Sequence, residues 1–239
     1  MKQALERLSW DSDFLGYPVA RIQPAATDEG TVQALVSEAR AHGYRLLYWS
    51  TDPTDAQAAA TAQYLGARLA DQKVTFAMAV PAASSYLPAG VEPTTELTPK
   101  LESLARQAGH QSRYQTDPNF APDVYEHLYD LWIANSVQGT LAREVLVFRA
   151  EPGAEEAGLI TLGIKKGRVD IGLLAVDEQV RGQTIGAKLV EAARQRTRAW
   201  GYDTLQVVTQ LTNVGACRFY ERCGFTINQL EYIYHVWLE

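Results

Sequence analysis

The chain contains a concealed repeat, in which two segments align without a gap when one is shifted by 158 residues. The run Arg-Ala-His-Gly-Tyr at 40–44 aligns with Arg-Ala-Trp-Gly-Tyr at 198–202, and Gly66 aligns with Gly224. Each aligned glycine stands where a predicted helix ends, a position that favours glycine because the backbone turns left-handed there. Both segments follow the order helix, Gly-Tyr, strand, helix, glycine, strand. Both halves of the chain are therefore predicted to share a fold element.

The two copies differ where chemistry would be expected. Residues 181–186 contain Arg-Gly and a second glycine, whereas the aligned residues 23–28 contain no glycine. Tyr220 aligns with Ala62. We therefore expect the C-terminal half to contain a functional site and the N-terminal half to be a scaffold without one.

The length of 239 residues fits one large or two modest domains. Residues 81–99 contain four prolines among Ala, Ser and Thr, which is typical of a linker. We predict an N-terminal domain over 1–85, a linker over 86–99 and a second domain over 100–239.

Hydrophobic periodicity predicts alternating strands and helices in both domains. The predicted strands are 19–22, 45–51, 73–80, 144–150, 158–164, 169–176, 204–210 and 227–238. The predicted helices are 31–42, 56–65, 101–108, 122–136, 184–200 and 213–223.

Composition and charge exclude several classes of function. The net charge is −6 and no basic run suits a nucleic acid, so no nucleic-acid partner is expected. Cys217 and Cys223 match no zinc spacing, and on one helix they would lie about 9 Å apart along the axis, too far for a disulfide. No apolar run approaches about 20 residues and no signal peptide follows Met1. We therefore expect a cytoplasmic protein with no metal and no membrane association.

A strand over 171–176 leads through Arg181 and Gly182 into a helix that begins near Thr184. The N-terminus of a helix offers unpaired N–H groups and a positive dipole end, which together bind phosphate. Glycine allows the backbone to approach phosphate oxygens closely. On these residues alone, phosphate binding and a plain helix start are equally good interpretations.

Further along the chain, Asn213, Ala216, Cys217 and Tyr220 fall on one face of the predicted helix. A tyrosine hydroxyl on that face is able to donate a proton to a leaving group. A lone tyrosine among the 12 in the chain is more often a core residue.

The combination of these motifs resembles the GNAT N-acetyltransferase superfamily over roughly residues 144–238. Arg181-Gly182-x-x-Ile185-Gly186 is similar to that family's cofactor motif, Gln/Arg-x-x-Gly-x-Gly/Ala, and Asn213, Tyr220 and Gly224-Phe225 are similar to its later helix. The sequence departs from the motif at Thr184, where the family has its first glycine.

The resemblance implies an α/β fold with a mixed, mostly antiparallel sheet flanked by helices, and a smaller N-terminal domain that resembles a partial GNAT fold. It implies acetyl-CoA as cosubstrate and Tyr220 as the acid that protonates the leaving thiolate. The residues that it assigns to acetyl-CoA are Leu174, Ala175, Val176, Val180, Arg181, Gly182, Gln183, Thr184, Gly186, Asn213 and Ala216.

A closer resemblance extends over the whole chain. The segments 8–16, 111–114, 129–136, 171–175 and 208–210 are similar to bacterial TDP-fucosamine acetyltransferases. That resemblance implies transfer of an acetyl group to the 4-amino group of a nucleotide-linked amino-dideoxy sugar. We assign Arg113, Tyr114, Phe120 and Gln210 to the acceptor pocket, with an interdomain loop as an equal interpretation of 111–120.

A sugar amine has electron-withdrawing neighbours, so its pKa is expected near that of an α-amine, about 8. Such an amine needs little help from a base, and Asp170 is the nearest candidate, although a surface role suits it better. A backbone N–H near Leu174 would stabilise the thioester oxygen. His110 and His127 are better interpreted as packing or surface residues than as bases.

Other interpretations keep the fold and change the function. The acceptor would be a protein N-terminus, a polyamine or a drug amine, or the protein would be a non-catalytic acyl-CoA sensor. A homodimer is an expectation that rests only on the last strand, 227–238, pairing across an interface.

Overall fold

The structure is a computed structural model that describes residues 5–23, 28–81 and 86–238. Residues 1–4, which the prediction about a signal peptide includes, lie outside the described residues. The predicted domain limit at 85 lies outside them as well.

The chain divides into two compact units whose limits follow contacts rather than chain order. The residues up to Val74, together with those from Gln229 onward, form the first unit, and Thr75–Asn228 form the second. The predicted domain limits of 85, 99 and 239 stay a prediction.

The first unit contains the strands β1 (Leu5–Arg7), β2 (Val19–Ile22) and β3 (Leu46–Thr51), and most of β10 (Thr226–Trp237). Strand β2 pairs antiparallel with β1 and parallel with β3, and β3 pairs antiparallel with β10. The helices are α1 (Ser9–Leu15), α2 (Glu29–Ala41) and α3 (Ala56–Tyr64). The last strand of the chain thus completes the sheet of the first unit.

Helix α2 shows how the sequence builds this core. Asp28 caps it by accepting a hydrogen bond from the Thr31 N–H at 2.9 Å. The apolar side chains at helical spacing, Val32, Leu35, Val36 and Ala39, are buried. They pack with buried β-strand residues such as Trp49 and Val236 in one hydrophobic cluster.

The second unit contains the strands β5 (Val91–Thr94), β6 (Glu144–Phe148), β7 (Gly158–Lys165), β8 (Arg168–Val176) and β9 (Thr204–Gln210). Neighbouring strands from β5 to β8 pair antiparallel, and β8 pairs parallel with β9. Strand β4 (Arg68–Ala79) passes from the first unit into the second, where it lies beside β9. The mixed, mostly antiparallel sheet is the one predicted.

The described residues of the second unit form five helices. They are α4 (Pro99–Ala108), α5 (Arg113–Thr116), α6 (Val124–Val137), α7 (Ile185–Ala199) and α8 (Val214–Arg222), and a 3₁₀ turn covers Glu178–Val180. Helices α4 and α7 both contact β7 and β8. The centre of the sheet is therefore covered by helices.

The repeat inferred from the sequence is visible in backbone geometry. Helix α2 ends where the Tyr44 N–H bonds to the Ala39 carbonyl at 3.0 Å, and α7 ends where the Tyr202 N–H bonds to the Thr197 carbonyl at 2.9 Å. Helices α3 and α8 both span nine residues, and strands β4 and β10 both span twelve. Gly66 and Gly224 both have a positive φ, as the helix ends require.

Four short elements were not predicted: β1, α1, β5 and α5. Strand β5 lies inside the predicted linker and contains Pro93, a residue that disfavours a strand assignment. It is tolerated because β5 is at the end of the strand order and pairs only with β6. Helices α1 and α5, with seven and four residues, are too short for helical periodicity to reveal them.

Candidate active site

Strands β8 and β9 pair at their start and then separate. The parallel pairs run from Val169 with Leu205 to Ile171 with Val207. In the described part of the chain no ladder pair joins the two strands beyond that point, although β8 continues to Val176. The edge of β8 over 174–176 therefore has backbone groups that face away from β7 and are able to pair with an extended ligand.

An irregularity in β8 coincides with this separation. The pairing of β7 with β8 shifts register between Ile160 and Leu162, where Gly172 and Leu173 together oppose the single residue Thr161. The Thr161 hydroxyl accepts a hydrogen bond from the Leu173 N–H at 2.8 Å. Such a bulge bends a strand and re-aims its side chains. Here it lies at the residues where β8 leaves β9.

Gly172 has neighbours that leave no room for a side chain. A Cβ atom built at Gly172 would lie 2.8 Å from Thr161 Oγ1 and 3.5 Å from Trp132 Nε1. Trp132 of α6 is half-buried and stacks on Tyr129, with ring centroids 5.7 Å apart. The indole thus lies against the bulge on the helix-covered face of β8.

The loop between β8 and α7 ends in an uncapped helix N-terminus. Thr184 is the N-cap residue, with φ 63° and ψ 0°, and its side chain makes no capping hydrogen bond. The Lys188 N–H bonds to the Thr184 carbonyl at 3.1 Å, so the preceding N–H groups of the first turn have no partner within the helix. Residues 181–184 are exposed, and Gly182 also has a positive φ. This geometry suits a phosphate group.

Gly186 lies in the first turn of α7, where side chains of α8 and β8 pack closely against it. A Cβ atom built there would lie 3.1 Å from Phe219 Cζ and 3.6 Å from Val176 Cγ2. The second glycine of the motif therefore permits the start of α7 to approach both α8 and the end of β8.

The first unit offers no comparable anion site at the corresponding helix. The N-terminus of α2 has its Thr31 N–H occupied by the Asp28 carboxylate, and Glu29 adds a second acidic residue to the first turn. That hydrogen bond lowers the pKa of Asp28, so the carboxylate is negative at neutral pH and repels anions.

Helix α8 brings the predicted residues to one face. Asn213 is its N-cap, and its Oδ1 accepts a hydrogen bond from the Ala216 N–H at 3.1 Å. The capping bond uses the amide oxygen and does not use the two N–H donors of Nδ2. Cys217 is buried one turn on, with its Sγ 3.5 Å from the Gln210 carbonyl. Burial raises the pKa of this thiol, so it stays protonated near neutral pH.

Tyr220 lies two turns after Asn213 and is buried among aromatic rings. Its centroid is 5.9 Å from that of Phe76, 5.3 Å from Phe219 and 5.6 Å from Phe225. No hydrogen bond of its hydroxyl to another described residue is recorded in the structure. Burial raises the pKa of Tyr220 above its ordinary value of 10.0, so the phenol remains protonated over the whole physiological range. It is therefore able to act as a proton donor.

The other titratable candidates have structural partners. Asp170 accepts a hydrogen bond from Gln206 Nε2 at 2.7 Å, across the paired part of β8 and β9. His110 contacts the ring of Tyr125 at 6.2 Å, and His127 is exposed on α6. None of the three lies on the face of α8 that contains Tyr220.

The predicted acceptor residues only partly come together. Arg113 Nη2 donates to the Tyr114 hydroxyl at 3.2 Å, and the Tyr114 and Phe120 rings lie 5.1 Å apart. Gln210 lies on a different element, at the end of β9, where its carbonyl accepts from the Asn213 N–H at 2.9 Å. Whether Arg113, Tyr114, Phe120 and Gln210 share one pocket stays a prediction.

Two residues of α4 that contact the β8–α7 loop were not predicted, namely Lys100 and Gln107. Lys100 forms an ion pair with Asp177, and Gln107 Oε1 accepts from the Glu178 N–H at 3.1 Å. Their spacing of seven residues places them on one helix face, which is a signal the sequence contains. It could not be used because nothing in the sequence says which loop that face would meet.

A family model described as the acetyltransferase (GNAT) family matches residues 102–225, more than half of the chain. The chain belongs to the GNAT acetyltransferase family. The resemblance predicted from Arg181, Gly186, Asn213 and Tyr220 is thereby confirmed at the level of family and reaction class. Members of this family use acetyl-CoA as cosubstrate.

Curated relatives give a finer similarity. The dTDP-fucosamine acetyltransferase of Escherichia coli O6:H1 (strain CFT073) is 30% identical over 235 residues, which are 97% of both chains. The spore coat polysaccharide biosynthesis protein SpsD of Bacillus subtilis (strain 168) is 30% identical over 140 residues, 59% of this chain and 47% of that protein.

Solved structures agree on the fold. A GCN5-related N-acetyltransferase from Sphaerobacter thermophilus superposes with a TM-score of 0.62 over 97% of this chain and 75% of that one, at 16% identity. A tandem GNAT protein from the clavulanic acid biosynthesis pathway gives a TM-score of 0.53 over 92% and 75%, at 15% identity. At such identities the likeness concerns the fold alone.

Within the described ranges, no helix is both long and apolar enough to cross a membrane. The same residues contain no group of three or more His, Cys, Asp or Glu side chains placed to hold a metal ion. Both cysteines are free thiols.

Proposed function

We propose that the protein transfers an acetyl group from acetyl-CoA to the 4-amino group of a TDP-linked amino-dideoxy sugar. One observation supports this proposal above the others: the protonated, buried Tyr220 is on the helix whose N-cap, Asn213, follows the strand that separates from β8. The full-length similarity to a dTDP-fucosamine acetyltransferase supports the choice of acceptor.

In this proposal the second unit binds acetyl-CoA with backbone groups. The edge of β8 over Leu174, Ala175 and Val176, which does not pair with β9, pairs in this proposal with the amides of the pantetheine arm, as an added strand would. The backbone of residues 180–186 and the uncapped start of α7 bind the pyrophosphate. Asn213 Nδ2 donates a hydrogen bond to the arm beside Ala216.

The sugar amine then attacks as the neutral base. Its nitrogen forms a bond to the thioester carbon, and the negative charge that develops on the thioester oxygen is stabilised by a backbone N–H at the separated part of β8, near Leu174. The carbon–sulfur bond breaks and Tyr220 donates its hydroxyl proton to the leaving sulfur. The proton that the attacking nitrogen releases returns the tyrosinate to the phenol through solvent.

The acceptor has two features that the segment 113–120 is suited to bind. The diphosphate of a nucleotide sugar suits a guanidinium such as that of Arg113, and the base suits aromatic rings such as Tyr114 and Phe120. Gln210, next to the start of α8, is placed in this proposal against the sugar ring. We assign the activity to the cytoplasm, where a reduced thiol such as Cys217 persists.

The test is thiol release from acetyl-CoA with a panel of acceptors. The panel contains a TDP-4-amino-4,6-dideoxy sugar, its UDP counterpart, spermidine and a short peptide. We expect release with the TDP sugar and little with the others. Thiol release with spermidine or the peptide alone would show that the acceptor is another kind of amine and not a nucleotide sugar. Binding of acetyl-CoA without turnover on any acceptor would support a non-catalytic acyl-CoA sensor.

A further inference from the structure

Helix α4 lies along the loop that connects β8 to α7. Lys100 in its first turn and Gln107 in its last turn are seven residues apart, so both project from one face about 10 Å apart along the axis. Each contacts the loop, Lys100 at Asp177 and Gln107 at Glu178 and Arg181. Leu101, about 100° further round the helix, is buried, and α4 packs against β8.

The Lys100 contact fixes the start of the loop. Asp177 is 5% exposed, and its Oδ1 accepts from the Gln179 N–H at 2.9 Å while its other oxygen pairs with Lys100 Nζ. The hydrogen bond from Lys100 lowers the pKa of Asp177, so the carboxylate stays charged near neutral pH. Without the ammonium group a mostly buried carboxylate would lose its principal charged partner, which is costly.

The Gln107 contact fixes the middle of the loop. Its Oε1 accepts from the Glu178 N–H at 3.1 Å and lies 3.5 Å from Arg181 Nη2. Arg181 Nε donates in turn to the Val176 carbonyl at 3.1 Å, so the side chain of Arg181 folds back over the loop. The loop residues that follow, 182–184, are exposed.

Helix α4 is itself held firmly enough to act as a support. Thr98 caps it by accepting from the Leu101 N–H at 3.2 Å, and Pro99 occupies its first turn. Arg106 makes two hydrogen bonds to the Asp130 carboxylate of α6, at 2.8 and 2.6 Å. A bidentate pair of this kind fixes the rotation of α4 about its axis.

We propose that Lys100 and Gln107 are positioning residues of the acetyl-CoA site, which hold the β8–α7 loop in the conformation that presents its backbone N–H groups to the pyrophosphate. Neither residue touches the reacting atoms. Their removal therefore weakens binding of CoA and leaves the chemical step of the bound complex unchanged. This inference rests on the proposed acetyl-CoA site.

The experiment uses the full chain with Lys100→Met and Gln107→Met, which keep side-chain length and remove the polar contacts. Lys100→Arg tests rescue by a second cation, and Lys165→Met, at the exposed end of β7, is the matched control. CoA binding is measured by calorimetry, kcat and KM for acetyl-CoA by thiol release, and folding by the melting temperature.

We expect a rise of about threefold to tenfold in the Kd of CoA for each Met variant, as the loss of one or two hydrogen bonds implies. The KM for acetyl-CoA rises in parallel, kcat stays within about twofold, and Lys100→Arg recovers most of the affinity. Gln107→Met keeps the test valid if Lys100→Met does not fold, because the Gln107 contacts are exposed.

Provided that wild type binds CoA, either of two results would overturn the positioning role. One is a Kd of CoA in Gln107→Met equal to that of wild type, and the other is a rise in Kd in Lys165→Met as large as that in the other Met variants. Failure of wild type itself to bind CoA would instead overturn the proposed acetyl-CoA site. The two failures are therefore distinguishable.

Discussion

Thr184 takes a backbone conformation that glycine usually supplies. Its φ of 63° lies in the left-handed region, where a β-branched residue is strained by about 1–2 kcal/mol. The departure from the family motif at this position thus changes the side chain and leaves a glycine-like backbone. The loop keeps the left-handed backbone at this position at a cost in stability.

We expect Thr184→Gly to raise the free energy of unfolding by up to about 1 kcal/mol, because relief of the strain exceeds the added flexibility of the unfolded chain. Gly182→Ala, at a φ of 85°, is the matched opposite change and is expected to lower it by about 1 kcal/mol. Chemical denaturation of both variants checks the pair. A destabilised Thr184→Gly would show that the threonine side chain makes a stabilising contact.

At this scale the sequence predicted how the candidate residues of α8 are arranged. Helical spacing alone placed Asn213, Ala216 and Tyr220 on one face, and the structure has them there. Spacing could not give the capping bond of Asn213 or the aromatic surroundings of Tyr220, because Phe76 approaches it from a distant part of the chain.

Among the elements, helices α2 and α7 differ in how their N-termini are capped. Both end in the same Gly-Tyr turn, yet α2 begins with a capping carboxylate and α7 begins without a side-chain cap. The two helices begin at different points of the repeat, since Asp28, the N-cap of α2, aligns with Gly186 and not with Thr184, the N-cap of α7. The two helix starts therefore differ in their electrostatics.

Placing the cap of α2 on α7 tests this difference. We expect Thr184→Asp to raise the Kd of acetyl-CoA at least about tenfold, because the carboxylate occupies N–H groups and repels the pyrophosphate. Thr184→Asn, which is also able to cap, provides the uncharged control and should change the Kd much less. Equal Kd values for the Asp variant and wild type, measured at low salt, would argue against phosphate binding at α7.

Element boundaries followed closely from the sequence for some long elements, whereas β4, predicted over 73–80, covers Arg68–Ala79. Helix 184–200 was predicted and α7 covers Ile185–Ala199, and strand 204–210 matches β9. Strand β5 was hidden by Pro93, and the bulge opposite Thr161 has no signature in the sequence, because it lies in the apolar run 171–176 of β8.

At the scale of the whole molecule, the last strand of the chain pairs with a strand from its N-terminal part. Strand β10 pairs with β3 from Tyr232 with Thr51 to Trp237 with Leu46, and Tyr234, Val236 and Leu238 belong to the first unit's core. Sequence patterns identified the strand but could not identify its partner, since pairing between residues 181 to 191 positions apart depends on the complete fold.

Truncation of the chain after Asn228 is therefore expected to destabilise the first unit. It removes three core side chains and leaves the backbone of β3 unpaired on one edge. Hydrogen exchange of the β3 amides, 46–51, should become faster by orders of magnitude, whereas exchange at the β6–β7 pairs should change less. Unaltered protection of β3 would contradict the pairing described above.

The central claim is that Tyr220 protonates the leaving thiolate, and kcat of Tyr220→Phe tests it most directly. We expect kcat to fall by about 10²-fold or more while the Kd of acetyl-CoA stays within about twofold, because the phenyl ring keeps the packing and loses only the donor. In wild type, kcat should show no decline due to Tyr220 below about pH 10, since burial raises the pKa of its hydroxyl. A kcat for Tyr220→Phe equal to that of wild type from pH 6 to about pH 10 would contradict the account.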